Sequence, residues 1–126
     1  MSTGPRVLVT RTGSFGQVRA EDATSLAMIV SELVQNAVEH GLAARGGTVT
    51  VDARRRQAAK GGDQLVMTVV DDGVGLPGGV LAPGQGLGTQ IVQSLVQDLR
   101  GKITWSAHSP SGTRVRLTAQ LRRLEH

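Results

Sequence analysis

Glu32, Asn36 and His40 recur every fourth residue inside a run, Ala23 to Gly41, whose Leu26, Ile29, Val30, Leu33, Val34, Ala37 and Val38 have helical periodicity. At about 100° per residue the three polar residues line a narrow stripe beside the apolar face. An Asn amide oxygen on a rigid helix suits Mg²⁺ already bound to phosphates, and a carboxylate one turn earlier can take a proton or orient a water. A second block closes a β-forming run: Gln64 to Val70 leads into Asp71, Asp72, Gly73 and Gly75. If the strand persists, the two aspartates point to opposite faces, so at most one enters a pocket. A carboxylate there can accept a hydrogen bond from an exocyclic amine such as adenine N6, and the glycines let backbone approach a flat ring closely.

The third block is Gly84-Gln85-Gly86-Leu87-Gly88, which feeds a helix marked by Ile91, Val92, Leu95, Val96 and Leu99, with Gly101 placed to cap it. Unsatisfied amides and the positive end of the helix dipole make such a start a phosphate site. It is not a P-loop, because the Gly-Lys-Ser/Thr ending is missing, and no acidic residue stands where a Rossmann glycine run would need one. Each block alone has a plainer reading as a solvated helix edge, an Asp-Gly turn or a glycine loop. Together they describe a nucleotide pocket.

Positioning three such blocks requires a sheet with helices against it. Strands are predicted near Arg6 to Arg11, Thr48 to Arg54, Gln64 to Val70, Lys102 to Ala107 and Arg114 to Leu121, with turns at Gly61-Gly62-Asp63 and Ser109-Pro110-Ser111-Gly112. Mixing of strands and helices, with the last two strands adjacent in sequence, predicts an α/β (α+β) two-layer sandwich: a mixed sheet with helices on one face.

The order of the blocks resembles the GHKL ATPases, the group containing gyrase B, Hsp90, MutL and histidine kinases, and so implies their Bergerat ATP-binding fold. Glu32-x-x-x-Asn36 looks like the N-box, Asp71-x-Gly73-x-Gly75 like the G1 box, Gly84-x-Gly86-Leu87-Gly88 like the G2 box, and Ser111-Gly112-Thr113 like the Gly-Thr opening the last strand. Within the group, LAMIVSELVQNAVEHGL and GLGTQIVQSLV look most like sensor histidine kinases of the HisKA_2 and HWE kind, closest to soluble actinobacterial two-component sensors. The resemblance implies that Asp71, with a water and Thr113, binds the adenine amino group. It further implies that Asn36 ligates Mg²⁺, that Glu32 assists phosphoryl transfer, that the amides around Gly86, Leu87 and Gly88 hold phosphates, and that His40 touches phosphate or ribose. Two departures stand out: only Leu76 to Pro83 separate the G1 and G2 boxes, and the sole Phe, Phe15, lies outside that lid, which carries no Lys or Arg.

At 126 residues the chain is one domain, read as 1–123 with Leu124-Glu125-His126 as an expression-tag remnant. With no cysteine there is neither a disulfide framework nor a thiolate metal site. No apolar run reaches the roughly 18 residues of a membrane span and no signal peptide is visible, so a cytoplasmic protein without membrane contact is expected. The net charge is +4, but with Phe15 and Trp105 the only aromatics there is little platform for stacking bases. A solvated basic face, or one meeting an acidic partner domain, is expected in place of nucleic-acid binding.

A histidine kinase also needs a phosphoacceptor His on a dimerising helical hairpin, and no such helices precede the N-box. His40 and His108 sit inside the ATP domain and His126 in the tag remnant. The chain therefore reads as the ATP- and Mg²⁺-dependent catalytic domain of a longer kinase, partnered by a helical domain and, downstream, a response regulator. Two other functions compete: an anti-sigma-factor serine kinase of the same superfamily, and a non-catalytic nucleotide sensor, which would not need Glu32 or Asn36.

Overall fold

A computed structural model describes residues 7–41, 46–57, 62–73, 87–108 and 111–122. The elements are β1 (Val7–Gly13), α1 (Ala20–Asn36) continued by a π-helical turn (Ala37–Gly41), β2 (Gly47–Gln57), β3 (Gly62–Asp71), α2 (Leu87–Asp98), β4 (Lys102–Ala107) and β5 (Thr113–Arg122). They form a 5-stranded mixed sheet in the order β1-β2-β3-β5-β4, in which β1 and β2 are parallel and the remaining pairs antiparallel.

Alternation along the strands decides which face is covered. Val49, Val51 and Ala53 of β2, Leu65, Met67 and Val69 of β3, and Val115, Leu117, Ala119 and Leu121 of β5 are buried. They form one cluster with Leu26, Ile29, Leu33 and Ala37 of the first helix and Val92, Val96 and Leu99 at the second. Each large aliphatic side chain removed from water here contributes about 1.5–3 kcal/mol. Both helices lie on this face and pack side by side. Ile91 departs from the expected apolar stripe of α2: it is 43% exposed, because the buried positions 92, 96 and 99 already fill the contact with the sheet.

Three local expectations are corrected. Gly62 and Asp63 are not turn residues but the first residues of β3, with Asp63 opposite Gln57; Gly61 lies outside the described residues. The left-handed residue closing α2 is Arg100 (φ 54), not Gly101. Arg100 N donates to Gln97 O at 2.9 Å and Gly101 N to Val96 O at 2.9 Å, the pair of bonds that defines a Schellman ending. Gly101 is small for another reason, since a Cβ there would collide with the Thr118 carbonyl of β5. Finally, the predicted helix is not α-helical as far as Gly41: the backbone turns π-helical after Asn36, with i→i+5 bonding over Ala37–Gly41.

Candidate functional site

Connectivity brings the blocks to one end of the sheet. β1 and β2 run parallel, so α1 must return between them antiparallel to both. Its last residue, Asn36, arrives where β2 begins, and Val49 there pairs with Asp71. β3 and β4 are each antiparallel to β5, hence parallel to one another, and α2 makes the return between them. Its first turn, Leu87 and Gly88, therefore lies toward the Asp71 end, while its last turn meets β5 at the other, where Gln120 N donates to Leu99 O at 3.0 Å. Glu32, one turn before Asn36, is half-buried, as is Asn36 itself.

The two aspartates divide as strand alternation requires. Asp71, paired with Thr113 across β3 and β5, lies on the helix-covered face and is 5% exposed. Its carboxylate accepts a hydrogen bond from Gly73 N at 2.9 Å and another from the Thr113 amide. Burial nevertheless holds its pKa above the ordinary 3.8; the two backbone bonds oppose that shift, the Asp72 charge adds to it, and His108 opposes it more weakly. No Lys or Arg among the described residues forms an ion pair with it. Asp72 faces the other way: its Oδ1 accepts from Thr48 N at 2.9 Å, and its own amide donates to Thr48 O at 3.3 Å, which extends the β2–β3 ladder by one step.

The β4–β5 hairpin seals the end of the sheet behind Asp71. His108 N donates to Gly112 O at 3.0 Å, and Ser111 Oγ to Asp72 O at 3.2 Å. Gly112 has φ 110, and a Cβ on it would collide with the Asp71 carbonyl, so only glycine fits. Thr113, 8% exposed, follows immediately. The sequence marks Gly112 only through the Gly-Thr pair, and nothing in it signals Thr48 as the partner of Asp72. Gly75, Gly84 and Gly86, with the lid Leu76 to Pro83, lie outside the described residues.

This geometry can receive a donor from a flat ring at Asp71 and an anion at the start of α2, with the last turn of α1 arriving at the same end of the sheet. Residues 21–123 match the family of histidine kinase-, DNA gyrase B- and HSP90-like ATPases. The chain belongs to that family. Among relatives of this ATPase, the sensor histidine kinase PdtaS of Mycobacterium tuberculosis is 39% identical over 113 residues, covering 86% of this chain and 22% of PdtaS. The histidine kinase domain of the Erythrobacter litoralis EL346 blue-light activated histidine kinase superposes with a TM-score of 0.73 at 30% identity, over 92% of this chain and 52% of that one. Full-length ShkA in complex with AMPPNP, at 23% identity and TM-score 0.68 over 96% of this chain and 27% of ShkA, shares the fold. This ATPase chain thus spans about a fifth of the length of its PdtaS relatives, which are larger proteins. No helix among the described residues is long and apolar enough to cross a membrane.

Proposed function

We propose that this chain is the ATP-binding catalytic domain of a two-component sensor histidine kinase, donating the γ-phosphoryl group of ATP to a histidine on a separate helical domain. The observation that carries the reading is the arrival of Asp71, Asn36 and the first turn of α2 at one end of the sheet, in a chain of this ATPase family. Asp71 fits adenine because it is a buried acceptor without a cation among the described residues, so a ring amine offsets its desolvation cost. Gly73 and Gly75 give the ring its close approach, with Thr113 alongside. Gly84 and the amides of Gly86, Leu87 and Gly88 receive phosphate oxygens, and His40 contacts phosphate or ribose. Asn36 supplies one oxygen ligand to Mg²⁺, and phosphates and water complete its shell. When bound, that ion neutralises charge on the transferred group. Glu32 orients the acceptor or takes its proton.

In the parent kinase this domain works with a dimerising, phosphoacceptor helical domain and, downstream, a response regulator, on the cytoplasmic side and without nucleic acid. The support is the kinase identity of the relatives and the AMPPNP complex of ShkA. The test is phosphotransfer from radiolabelled ATP to the parent's helical domain supplied in trans. An acid-labile phosphohistidine on that domain is expected, with little label on the chain alone, because a detached acceptor lacks the effective molarity of a tethered one. Acid-stable phosphoserine on an anti-anti-sigma protein, with no reaction at the helical domain, would assign the chain to the serine kinases. Efficient labelling of His40 or His108 would overturn the separate acceptor.

A further inference from the structure

The face of the sheet opposite the helices carries a cluster of cations. Even-numbered residues of β2, β3 and β5 point there, and the cross-strand register orders them: Thr50, Val70 and Arg114 in one row, Asp52, Thr68 and Arg116 in the next, then Arg54, Val66 and Thr118 with Lys102 beyond, and last Arg56, Gln64 and Gln120. Arg54, Arg56, Lys102, Arg114 and Arg116 are all exposed. Asp52 is the one carboxylate within these rows, and it is occupied: Thr12 Oγ1 donates to it at 2.6 Å and Arg54 Nε at 3.1 Å; Asp72 stands on the same face just beyond the first row, bonded to Thr48 N at 2.9 Å. Arg56, Lys102, Arg114 and Arg116 form no ion pair with any described residue. The helices are the reverse. Neither α1 nor α2 contains a Lys or Arg, and α1 with its π turn bears Glu21, Asp22, Glu32 and Glu39.

Between the cations runs a half-buried spine of small β-branched side chains, Val66, Thr68 and Val70 of β3 with Thr50 and Thr118 beside it. Arg54 and Arg56 flank one end of that spine from β2, and Arg114 and Arg116 the other from β5. Because neighbouring strands are about 4.8 Å apart, β2 and β5 lie roughly 10 Å from each other across β3, the diameter of a helix with its side chains, and the two cation pairs stand diagonally across that width. The ten-residue β3 is about 33 Å long, which matches a helix of roughly 20 residues. An apolar strip bordered by arginines has the composition of an interface core and rim. The face is flat and its aromatics are turned away, Phe15 and Trp105 both packing on the core, so it has neither a platform for bases nor an element to enter a groove.

We propose that this open sheet face docks an acidic amphipathic helix of a partner protein or domain, laid along β3 with carboxylates on both flanks. Docking leaves the Asp71 pocket free, since that pocket opens on the opposite face. The probe is a synthetic helical peptide of about 20 residues with an Ala/Leu strip between two Glu rows. Titrated into ¹⁵N-labelled chain, it should shift amides of Thr50, Thr68 and Val70 and leave those of α1 unmoved. Arg114→Glu/Arg116→Glu and Arg54→Glu/Arg56→Glu, both at exposed positions, should each weaken peptide binding by about tenfold or more while ATP affinity stays within about twofold. Undiminished binding by either variant overturns the proposal. So does equal binding of a peptide of the same composition broken by proline, or equal affinity for an 18-mer DNA duplex or phosphatidylserine vesicles, since each makes the face a general polycation. Self-association abolished by the same substitutions would assign the face to a second copy and overturn it as well.

Discussion

Asp63 and Asp71 project from the same face of β3, one at each end, yet among the described residues only Asp63 has a cation: Arg55 Nε lies 2.8 Å from its Oδ2, both side chains largely buried. Arg55 also donates through Nη1 to Phe15 O at 2.7 Å and to Gln17 O, so it ties the segment entering α1 to the sheet. One end of the strand is closed electrostatically within the protein. The other holds a buried acceptor without a counter-charge among the described residues.

That contrast predicts opposite responses at Asp71. Asp71→Asn keeps the shape but removes a buried charge, so nucleotide affinity should fall by roughly 2–3 kcal/mol while the free protein becomes more stable at pH 7. Asp72→Asn should lower affinity far less. Because burial raises the folded pKa of Asp71, the unfolded chain loses that proton first, and wild-type stability falls as pH rises above 3.8. The gain from Asp71→Asn is then absent below 3.8 and complete only above the folded value. Calorimetric titration with ADP and urea melts from pH 3 to 7 measure the two halves, and equal affinity losses at both aspartates would contradict the assignment.

At Arg55, Arg55→Met should cost about 3 kcal/mol, since it removes the cation from beside a largely buried carboxylate. The double variant Arg55→Met/Asp63→Leu should recover most of that in urea unfolding, though not the loop contacts at Phe15 and Gln17. A single variant as stable as the wild type would show the ion pair to be idle.

On the helix, Asn36→Ala should reduce the Mg²⁺ dependence of nucleotide binding, whereas Glu32→Gln should leave binding nearly intact and slow phosphoryl transfer by about 10²-fold or more. Single-turnover kinetics alongside titration separates them. Parallel losses of binding and transfer in Glu32→Gln would remove its chemical role.

The ending of α2 allows a test of backbone conformation. Arg100 adopts a left-handed φ that glycine holds more cheaply, so Arg100→Gly should raise stability by about 0.5–1 kcal/mol. Gly101→Ala should lower it by more than that, through the Thr118 carbonyl. Thermal melts of the two variants should move in opposite directions.

Much of this was legible in the residues. Alternation along Gln64 to Val70 placed β3 and divided Asp71 from Asp72, and the spacing of Leu26, Ile29, Leu33 and Ala37 placed α1 against the sheet. What escaped depends on contacts between distant segments. Gly101 read as a helix cap because glycine is common there, but its smallness answers to β5, and the cap conformation fell to Arg100. Asp63 read as a turn residue because Gly-Gly-Asp favours turns, whereas its partner Arg55 on the neighbouring strand keeps it in the sheet. The π turn at Ala37–Gly41 has no local residue signal, so the periodic run read as α-helical to its end.

The pairing of Asp71 with Thr113 also sets when the site comes into being. One backbone donor to the carboxylate is local, from Gly73, but the other belongs to β5, which leaves the ribosome only after α2 and β4 have been made. A nascent chain ending before Thr113 has Asp71 in hand and nowhere to hold it. If adenine binds at Asp71 as proposed, its binding reports that the β3–β5 pair has closed, and ligand present at that moment favours the completed sheet by mass action.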